Sequence, residues 1–308
     1  MKEFNFSNDL IAAFDLAISQ FGSFNNVFLI DIGNKYIDNV RQATLCVRIH
    51  TEGTDPHNST NPLIQFIEYG NFGKQQHRKI LPVNSQRTIR KDTVQPGMSF
   101  GYSESGTLGL ICYDKRNPNN ICLLTAAHVI PGPVGDSVSQ PGGGLDRGNS
   151  KFHGIGNILR TDPNGDAAIA LFNNRRRLDL RQFESNNIID TIRRVKIGDI
   201  LSKSGRTTGI TDALVDGIGV FFKRSRSSIK AIKGFRLVPL DGQDPRVTEI
   251  SDNGDSGAVW FDRSKTNEGI GLLFAGEKSS DRSDLEFSFA QHLSDVFSNL
   301  QISLNTPT

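Results

Sequence analysis

Three short motifs follow one another in a fixed order, and they constrain the fold of this 308-residue chain more than any bulk property does. Leu123-Leu124-Thr125-Ala126-Ala127-His128 is an apolar strand that runs through small residues into a histidine. Gly165-Asp166-Ala167-Ala168-Ile169-Ala170-Leu171 is an aspartate that enters a second apolar strand. Asp252-Asn253-Gly254-Asp255-Ser256-Gly257-Ala258-Val259-Trp260 sets a serine between glycines, ahead of an apolar run. A serine hydroxyl is a poor nucleophile near neutral pH and needs a base to take its proton. It also needs donors aimed at the oxyanion that forms. Gly-Asp-Ser-Gly by itself is compatible with an ordinary turn; a histidine and an aspartate upstream give it chemical meaning.

Each residue type suits one role. Ser256 is the candidate nucleophile, and His128 the candidate base that later returns the proton as an acid. Asp166 is placed to accept the other imidazole N–H and hold the tautomer. Its rival is Asp162, in Thr161-Asp162-Pro163-Asn164, but Asp166 directly precedes the strand and would be fixed by packing. The other histidines (His50, His57, His77, His153 and His292) stand in polar or loop contexts. Gly254 leaves room for a turn in which the amides of Gly254 and Ser256 point the same way as an oxyanion hole. The order histidine, aspartate, serine is neither that of subtilisins nor that of α/β-hydrolases. Thr125-Ala126-Ala127-His128, Asp166-Ala167-Ala168-Ile169-Ala170-Leu171 and Gly254-Asp255-Ser256-Gly257 together resemble a trypsin-like, chymotrypsin-fold serine protease of bacterial type, over residues 106–276.

That resemblance implies a mainly β, two-barrel protease domain with a C-terminal helix. It implies that Ile197-Gly198-Asp199-Ile200 and the hexapeptide Ser204-Gly205-Arg206-Thr207-Thr208-Gly209 open the second barrel. Asp255 would be buried and would need a cation; bacterial members use a basic side chain here, and Lys203 is the match, so a Lys203–Asp255 pair would replace activation by cleavage. The same pattern puts Ile250 at the base of the primary pocket and Phe274-Ala275-Gly276 along its wall. No acid is expected at that base, which favours an apolar primary residue; Glu277 or Asp252 at the rim is the alternative source of charge. Phe274 departs from the small polar residue usual at its position.

Lys and Arg total 35 against 33 Asp and Glu, a net charge of +2, so no nucleic-acid partner is indicated. The basic clusters Arg175-Arg176-Arg177 and Lys223-Arg224-Ser225-Arg226 have no interleaved aromatics and read as solvated loop tips. No apolar run is long enough for a membrane span, and the N-terminus lacks a secretory pattern. The three cysteines, Cys46, Cys112 and Cys122, read as free thiols, although Cys112 and Cys122 could meet across a hairpin. A cytoplasmic protein without metal or cofactor is the expectation.

Residues 1–95 read as a small α+β domain, docking or regulatory in role, and 96–308 as the protease domain. Helical spacing marks residues 7–21, with Ser7 or Asn8 as cap. Strand-like runs follow at 26–32 and 43–49, and 63–69 fits either helix or strand. After residue 95 come short strands broken by Gly, Pro, Asn and Asp: a hairpin that delivers His128, a Gly- and Pro-rich loop at 131–148, and strands at 214–222 and 229–240. Helical spacing closes the chain at 287–300. Two functions fit this sequence: an endopeptidase of narrow specificity acting on protein substrates, with a regulatory partner at residues 1–95, and a binding scaffold of the same fold that is catalytically silent.

Overall fold

Alternating apolar residues with frequent breaks give strands through most of the chain. The computed structural model describes residues 1–37, 40–52, 64–69, 85–224, 229–244, 247–276 and 286–305. Helix α1 (Asn8–Phe21) and strands β1 (Val27–Ile37), β2 (Val40–Glu52) and β3 (Ile64–Tyr69) form the N-terminal part. The first barrel follows, with β4 (Leu110–Asp114), β5 (Asn117–Thr125), β6 (Ser137–Ser139), β7 (Gly154–Thr161) and β8 (Ala168–Phe172). The second contains β9 (Ile200–Gly205), β10 (Gly209–Arg224), β11 (Ile229–Val238), β12 (Val259–Asp262), β13 (Glu268–Gly276) and β14 (Ser288–His292). Helix α2 (Leu293–Leu300) and β15 (Ile302–Ser303) follow.

The first barrel is a six-stranded sheet in the order β15-β4-β5-β8-β7-β6, so the C-terminal strand completes it. In the second, β9-β12-β13-β14-β11-β10 are consecutive neighbours, and pairing of β9 with β10 closes the ring. Helix α2 seals the seam between the barrels: Leu293, Val296, Phe297 and Leu300 pack with Leu110, Leu124 and Ile169 of the first and Val259 and Leu272 of the second. The helix is shorter than its periodicity suggested. Residues 288–292 form a strand because both edges of β14 find partners, β13 on one side and β11 on the other. The ambiguous segment at 63–69 is likewise a strand, parallel to β2.

The N-terminal part has the expected α+β content, but its sheet runs without a break into the second barrel. Strand β10 is 16 residues long. Its residues 209–214 pair with β9, and residues 217–221 pair with β1. Helix α1, whose start is capped by Ser7 accepting from the Leu10 amide at 3.3 Å, lays Leu10, Ala13, Phe14 and Ala17 on this sheet beside Val220 and Phe222.

A buried charge cluster ties the same strands together. Arg48 is fully buried; its Nε and Nη2 donate to the two Asp31 oxygens at 2.8 and 2.6 Å, and its Nη1 donates to Asp216 Oδ2 at 2.6 Å. Arg236 also reaches Asp216, and His50 Nε2 lies 3.1 Å from Asp31 Oδ1. Two carboxylates face two guanidiniums, so burial leaves no charge uncompensated. Burial pulls His50 down to about 4, which keeps it neutral at ordinary pH. Gly33 makes room for the guanidinium: a Cβ there would stand 2.2 Å from Arg48 Nη2.

Candidate active site

Strand β5 ends at Thr125, and a single tight turn, Ala127–Val129, follows and presents His128. Asp166 stands just ahead of β8, the neighbour of β5, so the sheet register sets histidine and aspartate side by side. The Ala127 amide donates to the Asp166 carbonyl at 3.1 Å, and the His128 amide donates to Asp166 Oδ1 at 3.0 Å. His128 Nδ1 lies 2.9 Å from Asp166 Oδ2. A carboxylate can only accept here, so Nδ1 carries the proton and Nε2 is left as a base. Asp162 is held elsewhere: its Oδ1 accepts from the Asn164 amide at 2.8 Å and its Oδ2 from Asn299 Nδ2 at 3.1 Å.

Lys223 also contacts Asp166 Oδ2, the oxygen that faces His128. Burial would raise the Asp166 pKa, but the His128 ring and the Lys223 ammonium hold it well below the carboxylate range. Lys223 belongs to the cluster read from sequence as a solvated loop tip, and this contact corrects that reading for it. Arg224, Ser225 and Arg226 of the cluster lie outside the described side chains.

The serine loop is fixed by hydrogen bonds on its outer side. The Asp255 amide donates to the Asp252 carbonyl at 2.9 Å, which makes a turn with Gly254 at φ 101°, a value that favours glycine. Thr207 Oγ1 donates to the Asn253 carbonyl at 2.7 Å, and Thr107 Oγ1 to the Gly254 carbonyl at 2.8 Å. The Ala258 amide donates to the Asp255 carbonyl at 2.9 Å. In a trans peptide the N–H points opposite to the C=O. The Gly254 and Ser256 amides are therefore turned away from these partners, and among the described residues neither donates a hydrogen bond.

The Ser256 carbonyl accepts from the Thr107 amide at 2.8 Å, and a Cβ on Gly106 would lie between Val129 and that carbonyl. The serine backbone is thus one residue's width from the histidine turn. Among the described residues the Ser256 hydroxyl and His128 Nε2 make no hydrogen bond to each other. In unliganded sites such contacts are often long and tighten when substrate binds.

Lys203 and Asp255 are both fully buried, with Nζ 3.1 Å from Oδ2. Asp255 also accepts from the Thr207 and Thr208 amides, the Thr208 hydroxyl and the Asp252 amide. Burial opposes its charge, but Lys203 and these donors bring its pKa below the ordinary value. The hexapeptide singled out in the sequence is thus the cradle of Asp255. Its Arg206 makes a two-pronged pair with Asp146, from the loop at 131–148, and joins the barrels beside the serine loop.

The residues expected to line a primary pocket differ in exposure. Ile250 and Phe274 are buried; the Phe274 ring packs edge-on against Phe221 and Phe289. Ala275 and Gly276 are half-exposed along the wall strand. An acid does lie beside Ile250: Glu286 is buried and accepts from the Ile250 and Ser251 amides at 3.0 and 3.2 Å. Two backbone donors give a carboxylate reason to turn inward. The alternative rim acid Glu277 lies outside the described residues. Among the described residues no group of three or more His, Cys, Asp or Glu could hold a metal ion. No described helix is long and apolar enough to cross a membrane.

Several solved protease structures are similar to this fold. The Nocardiopsis protease superposes with a TM-score of 0.51 at 17% identity, covering 70% of this chain and 100% of its own. The fold is that of the chymotrypsin-like serine proteases. Thermobifida fusca protease A gives a TM-score of 0.51 at 16% identity, with the same coverage. An alpha-lytic protease homologue gives 0.51 at 13% identity over 69% of this chain and all of its own. No family model matches the chain, and no curated protein does. In this fold His128 follows a strand of the first barrel, and the serine loop precedes a strand of the second.

Proposed function

We propose that the protein is a serine endopeptidase that cleaves protein substrates through an acyl-enzyme on Ser256. His128 Nε2 takes the hydroxyl proton as Ser256 Oγ attacks the scissile carbonyl carbon. Asp166 keeps Nδ1 protonated and stabilises the imidazolium. The oxyanion is received by the Gly254 and Ser256 amides. Collapse of the tetrahedral intermediate breaks the C–N bond, and the imidazolium returns its proton to the leaving amine. Water then repeats the sequence on the ester and frees Ser256. The chemistry needs no metal or cofactor. Narrow specificity and action in the cytoplasm, with regulation through residues 1–95, complete the reading.

The observation that carries this proposal is the 2.9 Å contact of His128 Nδ1 with Asp166 Oδ2, in a fold whose serine loop leaves two amides unused. A second reading, a silent scaffold, draws on the unmade Ser256–His128 contact. A fluorophosphonate probe separates them. Stoichiometric labelling of the wild type and none of Ser256→Ala is the expected result; no labelling of the folded wild type at any pH sinks the enzyme reading.

A further inference from the structure

Strand β10 reaches past the second barrel and sets a lysine ammonium on the aspartate of the first. Side chains alternate along a strand, and here the two faces have different tasks. Val220 and Phe222 pack with Leu10, Phe14 and Ala17 of α1. Phe221 packs toward the first-barrel core, and Lys223 reaches Asp166. Lys230 of β11 stands directly across from Lys223. Like charges placed opposite each other in a hairpin are destabilising unless each finds a partner. Lys230 finds the Gly165 carbonyl, and Lys223 finds the Asp166 carboxylate, so both lysines clamp the same loop.

The N-terminal part braces this hairpin. Strand β1 pairs with β10 up to Leu29 opposite Phe221, two residues short of Lys223. Helix α1 presses on Phe222, and a Cβ on Gly22, at the end of the helix, would lie 3.0 Å from that ring. Without β1 and α1, the far half of β10 would keep only β11 as a neighbour.

We infer that Lys223 is a positioning residue for the triad, presented by the N-terminal part, whose ammonium weakens the hold of Asp166 on a protonated His128. The inference rests on the triad reading given above. His128 and Lys223 share one carboxylate oxygen, so protonating the ring brings a second positive charge beside a first. Lys223 therefore competes with a protonated ring for the same carboxylate oxygen. The other groups around the site act less directly. Gln291 is neutral and accepts from the Asp166 amide; Lys230 faces the Gly165 and Asp162 carbonyls; the Asp162 carboxylate is held by Asn164 and Asn299.

The test is the pH dependence of fluorophosphonate labelling for the wild type, Lys223→Met and Lys223→Arg. Because the Lys223 side chain is 43% exposed, its effect is that of a partly screened charge. The acid limb of Lys223→Met is expected to move up by about half to one pH unit, and less in high salt. Lys223→Arg restores the wild-type limb. An unmoved limb in Lys223→Met, with labelling intact or merely slower, overturns the inference, since a purely structural contact would change rate without changing pH dependence. If the wild type is never labelled, the triad reading fails on its own. NMR titration of the His128 ring in the wild type and Lys223→Met then decides about Lys223: an upward move of the midpoint in the variant supports it, and no move overturns it.

Discussion

Thr207 shows how much of this site depends on hydroxyls that take no part in bond making. Its Oγ1 donates to the Asn253 carbonyl at 2.7 Å and so fixes the peptide that carries the Gly254 amide, the donor proposed above for the oxyanion. Thr207→Val keeps the shape of the side chain and removes the donor. Loss of a whole oxyanion donor lowers kcat by about a hundredfold to a thousandfold; a loosened one is expected to lower it by about tenfold, with KM unchanged. Steady-state kinetics on a peptide substrate checks this, and a rise in KM at constant kcat would place Thr207 in substrate binding instead. At this scale the sequence was readable where partners are local or follow a known order. His128, Asp166 and Lys203 were singled out from their motifs, and the structure sets His128 beside Asp166 and Lys203 beside Asp255. Lys223 and Glu286 were not, because their roles depend on contacts with strands distant in the chain. Nothing in Lys223-Arg224-Ser225-Arg226 shows that its first residue reaches an aspartate 57 positions earlier on the other barrel.

The element that carries most is β10, which pairs with β11 along one edge and divides the other between β9 and β1. Its cooperation with β1 and β2 depends on Arg48, and Arg48 fits only because Gly33 and Gly217 have no side chains to obstruct it. Gly33→Ala is therefore expected to destabilise the protein by several kcal/mol, roughly the 3–5 kcal/mol seen when a buried ion pair is broken. Urea unfolding followed by tryptophan fluorescence measures it, since Trp260 is fully buried in the second barrel; a loss below about 1 kcal/mol would mean that the cluster rearranges freely. The strands themselves were visible as apolar runs at 26–32 and 43–49. Their attachment was not, because an antiparallel edge accepts any strand of matching length and burial pattern, and β1 meets β10 almost two hundred residues later in the chain. The C-terminal helix is shorter than its spacing suggests for a similar reason. Residues 288–292 have a spacing that suits a helix, and only the two neighbouring strands make them extended.

For the molecule as a whole, acid is the condition to which stability should respond most. His50 and His292 are both buried, and burial pulls each from 6.5 to about 4. Between those values the unfolded chain holds the protons and the folded one does not. Stability is therefore full above about pH 6.5 and falls as pH drops toward 4, by at most about 1.4 kcal/mol per pH unit for each ring. Asp31, Asp166, Asp216 and Asp255 are held below the usual carboxylate range. Their contributions are present above their unfolded values and are lost as pH falls through the lower folded ones, which adds a second decline below about pH 4. Unfolding free energies measured from pH 7.5 to 3 should show both stages; a flat profile between 6.5 and 4 would mean that the two rings take up protons without leaving the fold.

A sixteen-residue strand with one edge divided between two neighbours also limits how this protein can be re-engineered. A chimaera that exchanges residues 1–69 for those of another protein would have to graft the outer half of β10 as well. The joint would then fall inside a continuous hydrogen-bonded ladder, not in a connecting loop.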